Sequence, residues 1–178
     1  GKHENKGKGE GAMKQLEPAK LEKLEEYGKI IEDARLFQQE QGFVQWTKEY
    51  PDQEIIRRDI ETGKGYALKV DGQTAGYLCL DFEGDASYKE IKGEWKWDGA
   101  YAAMHRIALS RSFRGQGLSD AVFGLAQELC REQKISCIRI DTDPENLRMQ
   151  HVLEKNGFVR CGTVLFEGSS KLAYEKLF

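Results

Sequence analysis

The sequence lacks the features that would place it in a membrane, at a metal ion or on a nucleic acid. No apolar run approaches the ~20 residues of a membrane-spanning helix, and no signal-peptide pattern opens the chain. Lys and Arg total 27 against 30 for Asp and Glu, so the basic excess that a phosphate backbone requires is missing. The three histidines form neither HExxH nor a Cys/His cluster. We therefore expect no membrane span, no nucleic-acid partner and no metal.

Paired cysteines are missing as well. Four cysteines stand among apolar neighbours without CxxC spacing, namely Cys79, Cys130, Cys137 and Cys161. This pattern is typical of reduced core residues rather than of a disulfide framework or a zinc site, and it favours a cytoplasmic location. With 39% hydrophobic and 32% charged residues over 178 positions, the chain is long enough for a substantial core.

The N-terminal residues differ in composition from the rest of the chain. Residues 1–12 (GKHENKGKGEGA) are rich in Gly, Lys and Glu and almost without apolar side chains. We predict that they form a flexible tail or are partly an expression remnant, with Met13 as a native start. Residues 13–178 are then predicted to form one domain.

Within residues 13–178, the apolar spacing changes from helical to strand-like and then alternates. A helix is expected from Pro18, a second from Asp52 through Ile60, and then a hairpin of GYALKV and TAGYLCLDF joined by Asp71–Gly72. Residues 84–100 are predicted to be a loop or an irregular hairpin. The later predicted elements are a strand at 101–109, a helix from 118, a strand at 135–140, a helix at 146–156, and strands at 158–166 and 171–178. This order predicts an α/β fold, with a mixed sheet of about six to seven strands flanked by about four helices.

A glycine-rich loop, RSFRGQGLSD at residues 111–120, stands between a strand pattern and a helix pattern. Free N–H groups at a helix N-terminus favour an anion, and glycine lets a ligand approach the backbone. A plain turn with solvated arginines is the alternative. A Walker A loop is excluded, because the GK[ST] sequence that ends such a loop is absent here. A dinucleotide fold is disfavoured because Asp120 takes the third glycine position and too few residues follow Asp141.

The same loop resembles the [Q/R]xxGx[G/A] acyl-CoA loop of the GNAT superfamily of N-acetyltransferases. Residues 114–119 (RGQGLS) match it at Arg114 and Gly117, with Ser119 at the last small-residue position. Residues 146–158 (NLRMQHVLEKNGF) resemble the family's N…A…LYEK.GF segment, and the element order over 13–178 is also similar. The resemblance implies a GNAT-like fold and acetyl-CoA as cosubstrate.

The resemblance also implies where acetyl-CoA binds. The loop amides would cradle the pyrophosphate, and the pantetheine arm would lie between two splayed strands. The implied cofactor-binding residues are Ile107, Ala108, Leu109, Arg114, Gly115, Gln116, Gly117, Leu118, Ser119, Thr142 and Asn146. Helix capping is an equal alternative for Asn146, and Arg111 is expected to be a solvated surface residue.

The acid–base residues depart from the family pattern. Many relatives carry a glutamate on the strand at 101–109, but YAAMHRIAL contains no carboxylate, so His105 is the candidate base. A hydrogen-bonded core histidine is the alternative. The tyrosine that many relatives use as general acid is replaced by Leu153. Tyr174 or Tyr101 would then protonate the thiolate, or no acid is needed, because a thiol has a pKa of about 8.5.

The sequence says least about the site that would bind the acceptor. Trp46, Trp95 and Tyr101 are candidates to line it, with simple packing as the alternative, and Asp81, Glu83, Glu94 and Asp98 would suit a cationic amine. Our leading hypothesis is an acetyl-CoA-dependent N-acetyltransferase that acts on a primary amine of a small molecule or peptide. The alternative is a non-catalytic acyl-CoA sensor of the same fold. The partners implied are acetyl-CoA and an amine, with a homodimer left open.

Overall fold

A computed structural model describes residues 12–47, 49–113 and 115–178, which form one mixed sheet of eight strands with four α-helices. The strands are β1 (Lys14–Pro18), β2 (Gly65–Val70), β3 (Gln73–Asp81), β4 (Lys92–Gly93), β5 (Ala102–Leu109), β6 (Cys137–Thr142), β7 (Val159–Phe166) and β8 (Ser169–Leu177). The helices are α1 (Leu24–Glu40), α2 (Gln53–Glu61), α3 (Leu118–Glu132) and α4 (Leu147–Lys155). No described helix is long and apolar enough to cross a membrane.

The sheet is split near its centre. Its strand order is β1-β2-β3-β5-β6-β8-β7-β4, and β5 and β6 are its parallel pair. These two strands pair only through Ala102↔Ile138, Ala103↔Arg139 and Met104↔Ile140. Beyond Met104, β5 continues to Leu109 beside β3 without pairing to β6. The second half of β5 therefore leaves a backbone edge open toward β6.

The helices cover opposite faces of the sheet. On one face, α1 and α2 pack Tyr27, Ile31 and Ile56 against Tyr77 of β3 and Ala108 of β5. The other face is covered by α3 and α4. Their contribution to that core is Val122, Phe123, Ala126, Cys130, Val152 and Leu153. Met104 and Ile140 point toward the α3/α4 face of the sheet. Because side chains alternate along a strand, the residues next to them in β5 and β6 point toward the α1/α2 face.

A bulge in β5 interrupts this alternation at the split. Arg106 has a φ of +54°, and the pairing of β5 with β3 shifts between Cys79↔His105 and Tyr77↔Ala108. As a result, the side chains of His105 and Arg106 both reach partners on the α1/α2 side, where they meet Asp85 and Asp59. Two consecutive polar side chains therefore lie on one face at the point where the strands part.

The predicted α/β class is confirmed, with eight strands rather than six to seven. The additional strands are β1, which pairs antiparallel with β2 at the sheet edge, and the two-residue β4 in the region predicted as a loop or an irregular hairpin. The helix predicted from Pro18 begins only at Leu24, after β1 and a 3₁₀ turn. The predicted tail at 1–12 lies outside the described residues except for Ala12.

Candidate active site

A cleft of about 420 Å³ passes through the sheet where β5 and β6 diverge. Its α3/α4 side is lined by the glycine loop, by Leu118, Ser119 and Val122 of α3, and by Thr142 at the end of β6. Its α1/α2 side is lined by polar and aromatic groups, namely His105, Arg106, Asp141, Trp46, Tyr50 and Phe166. The split thus connects two chemically different surfaces.

The glycine loop exposes backbone at the start of α3. Gly117 is the N-cap of this helix, with a φ of +68° and no side-chain cap on the first N–H groups. Gly115 also has a positive φ, of +80°, and a Cβ at either glycine would meet nothing within 4 Å. The loop therefore offers open space beside uncapped N–H groups at the positive end of the helix dipole, which suits a phosphate group.

Thr142 carries a buried hydroxyl that has no hydrogen-bond partner in the described residues. The residue is 1% exposed, lies at the end of β6 and lines the cleft on the α3/α4 side. A buried polar atom without a partner is costly, so such atoms in native proteins call for an explanation. A ligand with an amide or hydroxyl group in the split would satisfy this oxygen.

Asn146 follows Thr142 along the cleft and is already engaged. Its Oδ1 accepts a hydrogen bond from the backbone N–H of Met149 at 3.0 Å, which makes it the N-cap of α4. Its Nδ2 donates to Oε1 of Gln45 at 3.2 Å, in the segment between α1 and α2. Asn146 therefore has the capping role, and it also connects two walls of the cleft.

His105 and Asp141 are the first residues beyond the last β5–β6 pair, one on each strand. Nε2 of His105 lies 3.2 Å from Oδ2 of Asp85, and the His105 side chain is 20% exposed. The hydrogen bond from His105, joined by those from Ser87, holds the pKa of the Asp85 carboxyl well below its usual range. A carboxylate bonded to one ring nitrogen fixes the orientation of the imidazole.

Asp141 faces the same opening from β6. The hydroxyl of Tyr88 donates a hydrogen bond to its Oδ2 at 2.9 Å. Burial raises the pKa of the Asp141 carboxyl, and the nearby His105 and the bond from Tyr88 only partly oppose this effect. Asp85 and Tyr88 lie in one loop after β3, so a single segment supplies partners to the titratable groups on both sides of the split.

A buried ion pair supports the bulge of β5. The guanidinium of Arg106 forms two hydrogen bonds with the carboxylate of Asp59 in α2, at 2.7 and 2.8 Å. Tyr77 donates to the same carboxylate at 2.7 Å, and Nη1 of Arg106 donates to the hydroxyl of Tyr50 at 2.9 Å. This network fixes the backbone at Arg106 and places the Tyr50 ring in the cleft. The sequence contains no signal for this hydrogen-bond network other than the presence of the charged residue Arg106.

The model of the Acetyltransferase (GNAT) family matches residues 31–158, which is most of the chain. The chain belongs to the GNAT family. A curated relative from Lactobacillus delbrueckii subsp. lactis, described as "Uncharacterized N-acetyltransferase in pepI 3'region", is 33% identical over 101 residues, or 57% of this chain. The match covers 54% of that protein, so this GNAT chain spans about half the length of the curated relative.

Solved GNAT structures share the whole fold of this chain. An acetyltransferase from Streptococcus agalactiae superposes with a TM-score of 0.83 and 34% identity, over 93% of this chain and 95% of that chain. The PaiA N-acetyltransferase of Thermoplasma acidophilum, solved in complex with coenzyme A, has a TM-score of 0.70 and 14% identity, over 93% and 99% of the two chains. The predicted family is confirmed, and the second of these likenesses concerns the fold alone.

The predicted cofactor-binding residues fall into three groups in this GNAT protein. Those that line the cleft are Ile107, Leu109, Gly115, Gly117, Leu118, Ser119, Thr142 and Asn146. Ala108 instead packs its methyl group into the α1/α2 core, and Gln116 lies outside the cleft, where its carbonyl accepts from Nζ of Lys14 at 3.2 Å. Arg114 lies outside the described residues. Arg111, expected to be only solvated, lines the cleft and pairs with Glu40 at 2.6 Å.

Three predicted catalytic or acceptor residues lie away from the cleft. Tyr174 is fully buried in the α3/α4 core, so the structure gives its hydroxyl no access to a leaving thiolate. Trp95 and Tyr101 instead enclose the guanidinium of Arg139, at 4.3 and 4.0 Å from their ring centroids. Tyr101 also exchanges two hydrogen bonds with the backbone of Asp85, and so it positions the partner of His105.

The remaining acceptor candidates divide in the same way. Trp46 lines the cleft and also packs into the α1/α2 core, but none of the four carboxylates Asp81, Glu83, Glu94 and Asp98 lines the cleft. The described carboxylates that do line it are Asp33 and Asp141. In the sequence, Asp141 stands out only as the acidic residue of a dinucleotide fold, because its position beside His105 depends on the parallel pairing of β5 and β6.

Proposed function

We propose that this GNAT protein is an acetyl-CoA-dependent N-acetyltransferase that transfers an acetyl group to a primary amine by direct attack on the thioester. The observation that carries this proposal is the split between β5 and β6, with an anion-binding loop on one side and a paired histidine on the other. The first surface suits a phosphorylated cosubstrate, and the second suits proton transfer from an amine.

On the α3/α4 side, the proposal assigns acetyl-CoA to the glycine loop and the open strand edge. The amides at Gly115–Ser119 would bind the pyrophosphate, with Gly117 permitting its close approach. The pantetheine arm would lie along β5 beside Ile107 and Leu109, and the unpartnered hydroxyl of Thr142 would bond one of its amide or hydroxyl groups. Solved relatives with bound coenzyme A support this assignment.

On the α1/α2 side, the proposal makes His105 the base. The amine nitrogen attacks the thioester carbonyl carbon, and a backbone N–H of β5 near Ala108 or Leu109 stabilises the oxyanion. The imidazole of His105, oriented by Asp85, accepts the proton that the nitrogen loses. The C–S bond then breaks, and its electron pair leaves with sulfur. Because a thiol has a pKa of about 8.5, solvent can protonate the thiolate without a dedicated acid.

The direct test measures the release of free thiol from acetyl-CoA in the presence of a broad amine panel. We expect release that depends on the amine and that is matched by formation of an acetylated product. Calorimetric binding of acetyl-CoA, measured on the same preparation, provides the control. Binding without amine-dependent thiol release would contradict the enzyme and favour the acyl-CoA sensor, whereas absence of binding would contradict both.

A further inference from the structure

A buried ion pair lies outside the cleft and packs against the segment that joins β3 to β5 (residues 82–101). Nε of Arg139 in β6 donates to Oε2 of Glu175 in β8 at 2.9 Å, and the two side chains are only 8% and 3% exposed. Neither residue lines the cleft. Removing two charges from water is costly, and their mutual attraction often does no more than offset that cost. Stability alone is therefore a weak explanation for this pair.

The pair anchors the segment 82–101 on the sheet. The guanidinium of Arg139 lies between the rings of Trp95 and Tyr101, at 4.3 and 4.0 Å from their centroids, and it donates to a backbone carbonyl between these two residues. The second carboxylate oxygen of Glu175 accepts from the backbone N–H of Lys96 at 2.9 Å. A planar cation can stack on two rings at once, which an ammonium group cannot do.

The Tyr101 ring connects this pair to His105. Its hydroxyl accepts from the backbone N–H of Asp85 at 3.1 Å and donates to the backbone carbonyl of Asp85 at 2.9 Å. The carboxylate of Asp85 lies 3.2 Å from Nε2 of His105. A neutral imidazole has one N–H donor and one acceptor nitrogen. A bond from Nε2–H to Asp85 therefore leaves Nδ1 as the nitrogen that can accept a proton.

The Trp95 ring makes a second connection, to the other side of the split. Its Nε1 donates to the backbone carbonyl of Tyr88 at 2.8 Å, and the hydroxyl of Tyr88 donates to Oδ2 of Asp141 at 2.9 Å. The rings of Tyr88 and Tyr101 also stack, with centroids 6.3 Å apart. The two rings that enclose the guanidinium thus each hold one residue of the segment that reaches the opening.

We infer that Arg139 is a positioning residue for the proposed base. By fixing Trp95 and Tyr101, it holds Asp85 in the place where Asp85 keeps the proton of neutral His105 on Nε2. The inference rests on the proposed function. The Arg139–Glu175 pair then serves to select one conformation of the segment 82–101, a role that buried ion pairs have in some proteins.

The first test removes both charges together, so that no buried charge is left without a partner. In the double variant Arg139→Met/Glu175→Gln, the amide oxygen can still accept from Lys96. We expect a melting temperature within about 4 °C of that of the unchanged chain. We expect kcat to fall about ten- to hundredfold through misplacement of the base, with the Kd of acetyl-CoA unchanged. A large fall in melting temperature with normal kcat would overturn the inference and assign the pair to stability.

Tyr101→Phe tests the same connection without touching a charge. The ring remains beside Arg139, but both hydrogen bonds to Asp85 are lost. We expect kcat to fall about tenfold or more, again with unchanged acetyl-CoA affinity. Tyr27→Phe is the matched control, because it removes a phenol that accepts from the backbone N–H of Lys20 at 3.0 Å, outside the cleft. Equal effects of the two substitutions on kcat would overturn the inference.

The ¹⁵N signals of the His105 ring provide a readout that needs no substrate. They are recorded at about pH 9, where an imidazole is neutral, and are assigned by their loss in His105→Gln. The unchanged chain should carry the proton on Nε2. In Tyr101→Phe and in the double variant, the two nitrogen signals should move toward each other as the second tautomer becomes populated.

The outcomes separate this inference from the proposed function. If both variants retain the Nε2–H tautomer, or if both retain normal kcat, the inference is overturned and the proposed function stands. If the unchanged chain binds acetyl-CoA but releases thiol with no amine of the broad panel, the proposed function fails and the inference fails with it.

Discussion

The chemistry of the proposed site depends on a few side chains held by partners that are distant in sequence. His105 is oriented by Asp85, and Asp141 is held by Tyr88, both from the loop that follows β3. Tyr101 fixes the backbone of Asp85 in turn. The residues that contact substrate in the proposal are thus supported by a layer of residues that do not.

His105→Gln tests the base directly. Glutamine retains a donor toward Asp85 but cannot accept a proton from the amine, so turnover should fall by about 10²–10⁴-fold. Acetyl-CoA binding should change little, because its proposed contacts lie on the other face of the sheet. Initial rates and calorimetric binding measure the two quantities. A variant with normal turnover would assign His105 a structural role only.

Asp85→Asn tests the partner of His105 through stability. Because hydrogen bonds lower the pKa of Asp85 in the folded protein, its ionised form stabilises the fold above the unfolded pKa of about 3.9. We expect the variant to lose about 1 kcal/mol at pH 7, a discounted value because the side chain is 27% exposed. This difference should shrink as the pH falls below about 4.

Urea unfolding of both proteins at pH 7 and at pH 3.5 or below measures the change. Ser87→Ala is the matched control, since it removes one hydrogen bond to Asp85 without removing the carboxylate. A difference in unfolding free energy that stays constant with pH would contradict the role assigned to the charge of Asp85.

At the scale of elements, the split between β5 and β6 and the start of α3 decide what the fold can bind. The bulge at Arg106 turns two side chains toward α1 and α2, and the Asp59 pair holds that bulge in place. The glycine loop leaves the N-terminus of α3 open on the other face. One surface of the cleft is thus formed at a bulge in a strand, and the other at the N-terminus of a helix.

Gly117→Asp tests the loop. The variant should fold with a loss of about 1 kcal/mol, because φ is +68° and the site has room for a side chain. Acetyl-CoA should no longer stabilise it, since a carboxylate would stand at the proposed phosphate site. Gly63→Asp is the matched control, with a φ of +75° and equal space, but outside the cleft. Equal acetyl-CoA binding by both folded variants would refute the assignment of the loop.

At the scale of the whole molecule, the sheet separates the surface proposed for acetyl-CoA from the surface proposed for the acceptor. α3 and α4 cover one face, α1 and α2 cover the other, and the split is the passage between them. In the proposed arrangement, acetyl-CoA on one face and the acceptor on the other meet at this passage. Binding of acetyl-CoA at this passage should therefore stabilise the whole domain against unfolding.

Acetyl-CoA should raise the melting temperature of the chain. At one hundred times its dissociation constant it adds about 2.7 kcal/mol, which corresponds to a shift of about 5–10 °C for a domain of this size. ATP and NAD share the phosphates but lack the pantetheine arm, so they should shift it much less. Differential scanning fluorimetry measures all three. Equal shifts would mean that the split between β5 and β6 contributes nothing to recognition.

The sequence by itself determined the elements whose signals are local. Asp71–Gly72 both take positive φ, of +49° and +81°, which is the two-residue turn that the DG pair predicts between β2 and β3. Tyr27, Ile30 and Ile31, which are buried on α1, recur in the sequence at the three- and four-residue spacing of a helix. The family also followed from the sequence, because the glycine loop and the Gly-Phe segment are each a continuous stretch of residues.

Only the tertiary structure decided which polar groups share the cleft. Trp95 and Tyr101 stand close to the predicted site in sequence, yet they pack on Arg139, whose charge Glu175 balances at 2.9 Å. No local sequence pattern identifies Asp141 as a residue of the cleft. It faces His105 because β5 and β6 are parallel and separate after Met104. Strand order and register bring distant residues together through long-range pairing, and these contacts leave no periodic pattern in any short segment of sequence.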